Sequence, residues 1–295
     1  MAREVNPTIA LFGCGYTLTR LLKTFPPSKV VFTTRTDESL ASAHNFISRA
    51  YRGAVLDLKS KSSIFDFFEN YPFVETIVEG IPPGSDKDGG DPLEGVNNLC
   101  AALRSQEQVK RLIYLSTTGV FGVNDGSEVD ERTECAPTNP KSQARLDSEA
   151  AYSLAISDFI ALRVAAIYGP GRGIGTSLKN GTYQITGDGS RWSNRIHVDD
   201  LVTIIHRAIK SSRLMPKAVC VADDTPTVVK EIVDYYCERF SLQAPAQISD
   251  ENAALGGHHS QLNNQRVKNT MLKDEIKVEL RYPSFREGAH TEFET

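Results

Sequence analysis

The sequence predicts an α/β chain: a doubly wound parallel sheet followed by a smaller C-terminal lobe. Short apolar, β-branched runs alternate with amphipathic stretches through the first half. That alternation implies crossover connections and helices on both faces of a parallel sheet. At 295 residues there is room for one large domain and an appendage. After Gly169 the chain becomes rich in Gly and Ser and loses long apolar periodicity, as loops over a second lobe do.

Taken in order, strands are expected at residues 8–12, 29–34, 53–56, 75–79 and 111–116. Helices are expected between them at 16–24, 38–47, 62–70 and 92–105. A helix at 142–155 precedes a sixth strand at 159–164. A helix over 199–210, a buried strand at 218–222 and a helix over 227–240 follow. Beyond Ser241 only 263–272 reads as regular. The expected division is a nucleotide-binding domain over 1–175, completed by the returning strand, and an interleaved smaller lobe over 176–295.

Hydrophobic residues at 40% and charged residues at 24% indicate an ordered globular chain. The net charge of -4 disfavours nucleic acid, which demands a surplus of Lys and Arg. The basic residues are scattered, so no polybasic membrane anchor is expected. The apolar run at 8–12 is too short for a signal-peptide core or a membrane span, which makes the expected location cytoplasmic. Cys14, Cys100, Cys135, Cys220 and Cys237 are odd in number and form no C-x-x-C pair. Neither disulfides nor zinc is indicated.

The first strand runs into Gly13-Cys14-Gly15-Tyr16-Thr17-Leu18 and then a helix. Gly13 permits a tight turn, and Gly15 lets backbone approach a pyrophosphate at the helix start. This is the Rossmann arrangement for a nicotinamide dinucleotide. The third glycine of the fingerprint is replaced by Leu18, which is expected to push the helix outward or tilt it and so loosen the grip on the pyrophosphate. No acid ends the second strand; Thr34, Arg35 and Thr36 stand there, a set suited to a 2′-phosphate, so NADP is preferred over NAD. Asp37 reads as the cap of the next helix.

With these residues in view, the chain resembles the extended short-chain dehydrogenase/reductase superfamily in its NAD-dependent epimerase/dehydratase branch. Asp57-Leu58 looks like the family's adenine-contacting pair. Residues 114–122, YLSTTGVFG, are similar to its "SSxxVYG" strand end, residues 162–171, LRVAAIYGPG, to "LRxxxxYGPG", and residues 195–201, RIHVDDL, to "IHVDDL". The resemblance implies further cofactor contacts from Gly80, Ile81, Pro82, Tyr168 and Pro170. It also implies catalysis by a Ser/Thr, a Tyr and a Lys. Thr117 fits the first role, polarising the substrate oxygen. Aligned on Glu149, however, the Tyr position is Lys141 and the Lys position Arg145.

Arg145 keeps the charge and could bond a ribose, but it does not readily release a proton. Lys141 could act as a base only if burial lowered its pKa by several units. The alternative for both is an exposed basic helix face. Tyr168 is a substitute phenol; Tyr152 falls too far along the helix. The short stretch between Gly171 and Gly187, and Ser193 where the family has an Arg, depart from the sugar-nucleotide pattern. His197 and Asp200 read as architecture, His258-His259 as solvated loop, and Cys14 as packing. Arg191, Trp192 and Arg195 line a substrate mouth or pack at the surface. Two functions stand: an NADP(H)-dependent oxidoreductase or epimerase on a small polar substrate, and a non-catalytic dinucleotide-binding sensor or scaffold. Dimerisation through 92–105 and 142–155 fits the resemblance, as does an internal core.

Overall fold

In the computed structural model, residues 6–84, 90–255 and 263–294 are described. His258-His259 lie outside them. Ile-Ala-Leu-Phe, four apolar side chains all buried, makes the first strand, β1 (Ile9–Phe12). The chain continues through α1 (Tyr16–Leu22), β2 (Val30–Thr34), α2 (Asp37–Ala43), β3 (Arg52–Val55), α3 (Lys61–Asn70), β4 (Thr76–Glu79), α4 (Glu94–Leu103) and β5 (Arg111–Thr117). Next come β6 (Glu128–Val129), α5 (Pro140–Ala155), β7 (Asp158–Val164), β8 (Ala166–Tyr168), α6 (Ile174–Lys179), β9 (Ile185–Thr186), β10 (Trp192–Ser193), β11 (Arg195–His197) and α7 (Val198–Lys210). The last are β12 (Ala218–Val221), β13 (Thr227–Val228), α8 (Val229–Phe240), β14 (Gln247–Ile248), α9 (Asp250–Leu255), β15 (Arg266–Val267) and α10 (Phe285–Gly288).

Seven strands form one parallel sheet in the order β12-β7-β5-β4-β1-β2-β3, the doubly wound pattern. β1 lies between β2 and β4, with Ile9 opposite Val30 on one side and Thr76 on the other. The helix starts follow local chemistry. Thr36, not Asp37, caps α2: its hydroxyl accepts from Ser39 N, and Asp37 falls in the first turn, where an acid suits the helix dipole. Ser60 caps α3 in the same way. Asn139 accepts from Ser142 N at 3.0 Å, and Pro140 begins α5.

The chain divides into two units by its contacts, and the cut differs from a single boundary at 175. The first unit comprises 1–116, 143–162 and 202–218; the second comprises 117–142, 163–201 and 219–295. Most of α7 therefore belongs with the first unit. Arg111 explains part of this. Its guanidinium pairs with Asp158 at 2.7 Å and donates to the carbonyls of Ala208, Ser211 and Arg213, which close the end of α7. The core of the first unit joins Phe12, Ile77, Tyr114 and Tyr152 to the helix residues Ile64, Phe67, Val96 and Leu99.

Leu18 does not push α1 outward. It is 2% exposed, and its Cδ1 lies 3.0 Å from where a Cβ on Gly80 would stand. The space that a third glycine would leave at the helix is supplied by a glycine at the end of β4.

In the second unit, the tail after Ser241 is far more structured than its sequence suggested. Tyr282 lies against the His197 ring at 3.9 Å between centroids, and Phe285 and Ala289 enter a core with Tyr168, Ile174, Ile232 and Tyr236. Glu292 accepts from Tyr236 Oη and from Thr176 N. The regular stretch expected at 263–272 is instead β15 followed by a π-helical turn at Leu272–Ile276. These anchors are single residues in polar surroundings, so no periodicity announces them.

Candidate functional site

In the first unit, β1 ends in a turn that only glycine suits at its first position. Gly13 has φ +77°, and a Cβ there would meet Ile81 Cγ1 at 2.6 Å. Gly13 N donates to Thr33 Oγ1, and Cys14 N to Thr33 O, so the turn is tied to β2. Gly15 is different: it is exposed, and a Cβ there would have nothing nearer than Gly13 O at 3.9 Å. That open side at the start of α1 is where a pyrophosphate would lie against backbone, so the residues fit a dinucleotide. Thr17 is buried beneath the turn, and Tyr16 is half-buried with the Arg20 guanidinium stacked 3.9 Å over its ring. Burial pushes the Cys14 thiol up to about 11, so it stays protonated and unreactive.

Arg35 is exposed at the end of β2. Thr34 donates to Thr36 O, while Thr36 is occupied as the cap of α2. Asp57 folds back to accept from Lys59 N, and Leu58 is buried in the core against Gly95. At the end of β4, Gly80 and Ile81 are half-buried and Pro82 is exposed.

Sequence reasoning missed Glu79. It is fully buried, and its Oε1 accepts from Ile81 N at 2.6 Å, fixing the loop that seats Gly13. Burial pushes its carboxyl up to about 8 against the opposing pull of the Ile81 bond and the Arg145 charge. Arg145 donates to Leu115 O and lies 5.7 Å from the Tyr114 ring. One of its terminal nitrogens therefore braces the first unit's own backbone. Tyr152 is buried against Tyr114.

In the second unit, Lys141 is exposed, so the burial needed to make it a base is absent. Tyr168 is fully buried, donates to Ser284 O and has its phenol pushed up by burial. That removes it as a substitute acid or base. Pro170 is half-buried in the following turn. His197 and Asp200 are architectural: His197 Nε2 meets Thr291 Oγ1 at 2.9 Å, and Asp200 accepts from the amides of Arg281 and Tyr282.

The same unit holds a cavity of about 290 Å³. Thr117 lines it, together with Tyr183, Arg191, Trp192, Asn194, Arg195 and Gln265. Thr117 Oγ1 accepts from Gly119 N at 3.1 Å, which leaves its hydroxyl hydrogen to donate. Arg191, Trp192 and Arg195 are thus cavity wall. Tyr183, Asn194 and Gln265 carried no signal, because they come from separate loops. Asn194 donates to Gln265 O and accepts from Val267 N, and Gln265 donates to Thr118 O, so amide pairs stiffen the wall.

The glycine turn, the parallel sheet and the Thr117 strand end define a dinucleotide-binding fold of the short-chain reductase type. Residues 14–222 match the model of the NAD dependent epimerase/dehydratase family, and the chain belongs to that family. No curated protein matches it by sequence. Among solved structures, a conserved protein of unknown function from Silicibacter pomeroyi shares 26% identity over 97% of both chains, with TM-score 0.76. UDP-glucuronic acid 4-epimerase from Bacillus cereus, solved with NAD, shares 15% over 96% of both, with TM-score 0.74. The dTDP-glucose 4,6-dehydratase from Bacillus anthracis, also with NAD, shares 16% over 97% of this chain and 95% of that one, with TM-score 0.75. At such identities the last two speak for the fold.

Proposed function

We propose that the chain binds NADP(H), with NAD as the lesser alternative, and acts as an oxidoreductase or epimerase-like enzyme on a small polar substrate in the cytoplasm. The observation that carries this reading is Thr117, whose hydroxyl lines a cavity of about 290 Å³, near the lower end of small-ligand sites. The dinucleotide would be held by Gly13, Gly15 and the Thr34–Arg35 corner, and when bound it supplies hydride chemistry. Thr117 then polarises the substrate oxygen.

In this reading the family's Tyr-Lys pair has no counterpart, since Lys141 is exposed and Arg145 is committed to Leu115 O. Tyr183 is a phenol of the cavity wall, itself pushed up by burial. Arg35, exposed beside Thr34, favours the 2′-phosphate, although the neighbours with a named dinucleotide carry NAD.

Calorimetric titration with NADPH, NADP⁺, NADH and NAD⁺ tests this. NADPH should bind best, and Arg35→Ala should remove about tenfold or more of its advantage over NADH. Equal affinities for the two reduced forms would overturn the preference. A second reading, a dinucleotide-binding sensor, draws on the exposure of Lys141 and the burial of Tyr168. It predicts binding without turnover across a panel of sugars and hydroxy acids.

A further inference from the structure

The cavity of the second unit has an unbalanced charge. Among the described residues its lining contains two charged side chains, Arg191 and Arg195, and no acid. Arg191 is compensated, because both its terminal nitrogens bond the Asp250 carboxylate. Arg195 is not. It is 6% exposed, and its Nε has no hydrogen-bond partner.

Two buried acids share its field, but neither is hydrogen-bonded to its Nε. Glu292 accepts from Tyr236 Oη and Thr176 N, and burial raises its carboxyl. Asp223 Oδ1 accepts from Thr225 N, while Oδ2 has no partner, and burial pushes the group up to about 8. A buried guanidinium with an unsatisfied nitrogen is costly, and an anion on the cavity side lowers that cost. Gln265 Oε1 is a second buried atom without a partner in the same wall, suited to accept a hydroxyl hydrogen.

We propose that this cavity takes the anionic oxygen group of a small hydroxylated substrate, a carboxylate or a phosphate monoester, on the Arg195 guanidinium. The inference rests on the oxidoreductase reading and names its substrate class. Arg195 is a binding residue in this account, and Gln265 orients the hydroxylated part.

The chain's one tryptophan, Trp192, lines the cavity, so its fluorescence reports on this site. The probes are glucuronate, glucose 6-phosphate and glucose, each titrated against the full chain. One or both anions should change Trp192 emission saturably, and neutral glucose should not. A response to glucuronate alone assigns a carboxylate; a response to glucose 6-phosphate alone assigns a phosphate. Arg195→Gln should weaken the response by about ten- to a hundredfold, and Arg195→Lys by less. No saturable response to either anion, or an equal response to glucose, would overturn the proposal without recourse to a variant. Dinucleotide titration of the same sample separates the two readings. Anion binding without dinucleotide binding would sink the oxidoreductase reading alone, and the converse result would sink this one alone.

Discussion

Replacing Gly80 with alanine tests whether the end of β4 makes room for Leu18. The new Cβ would stand 3.0 Å from Leu18 Cδ1, 3.4 Å from Phe12 O and 3.5 Å from Leu115 Cδ1. Of these only the first neighbour is the movable end of a side chain that must give way. Overpacking of this kind costs about 1–3 kcal/mol. Leu18→Ala alone leaves a void in a fully packed site and costs about 2–5 kcal/mol. In the double variant the added methyl enters the vacated space. The two changes should then cost about 1–2 kcal/mol less together than their sum. Alanine also restricts the unfolded chain at position 80, but that effect is the same in both backgrounds and cancels in the cycle. Urea denaturation of the four proteins measures it. Additivity within about 0.5 kcal/mol would refute the claim that Gly80 substitutes for the missing third glycine.

Two further outcomes follow from buried charge. Glu79 has its carboxyl raised from 4.5 to about 8, so its contribution to stability is present below 4.5 and declines as pH rises toward 8. The loss is at most about 5 kcal/mol. Urea midpoints across that range should fall less steeply for Glu79→Gln than for the wild type; parallel curves would count against the assignment. Arg111→Met should cost about 3–5 kcal/mol by leaving Asp158 and the carbonyls at the end of α7 without their donor. A change below about 1 kcal/mol would show that the pair is no more than a surface bridge.

The sheet was legible because its strands are short, mostly apolar runs bounded by turn residues. Val30–Thr34 and Ala218–Val221 both fall within one residue of expectation. The glycine turn was legible from spacing. The fate of Leu18 was not, because its partner Gly80 lies on another strand and nothing local marks the contact. The cap expected at Asp37 is Thr36 instead, because its hydroxyl reaches Ser39 N, a geometry that sequence spacing does not fix. Tyr168 carried a family motif yet is sealed by Ser284 and Gly288, from a tail whose ordering residues are isolated. Arg195 was visible as a candidate; that its Nε is buried without a partner, with Asp223 and Glu292 in its field, is set only by the fold.

The claim on which the rest depends is that a dinucleotide lies against Gly15. A valine there meets no atom closer than 3.9 Å at its Cβ, and the backbone φ of −93° suits it. The substitution therefore spares the fold while filling the approach to the backbone. Calorimetric titration of wild type and Gly15→Val with NADPH, alongside their thermal unfolding, is the direct measurement. The account predicts equal melting temperatures, binding by the wild type and a loss of at least about tenfold in the variant. Equal binding by both, or binding by neither, would contradict it.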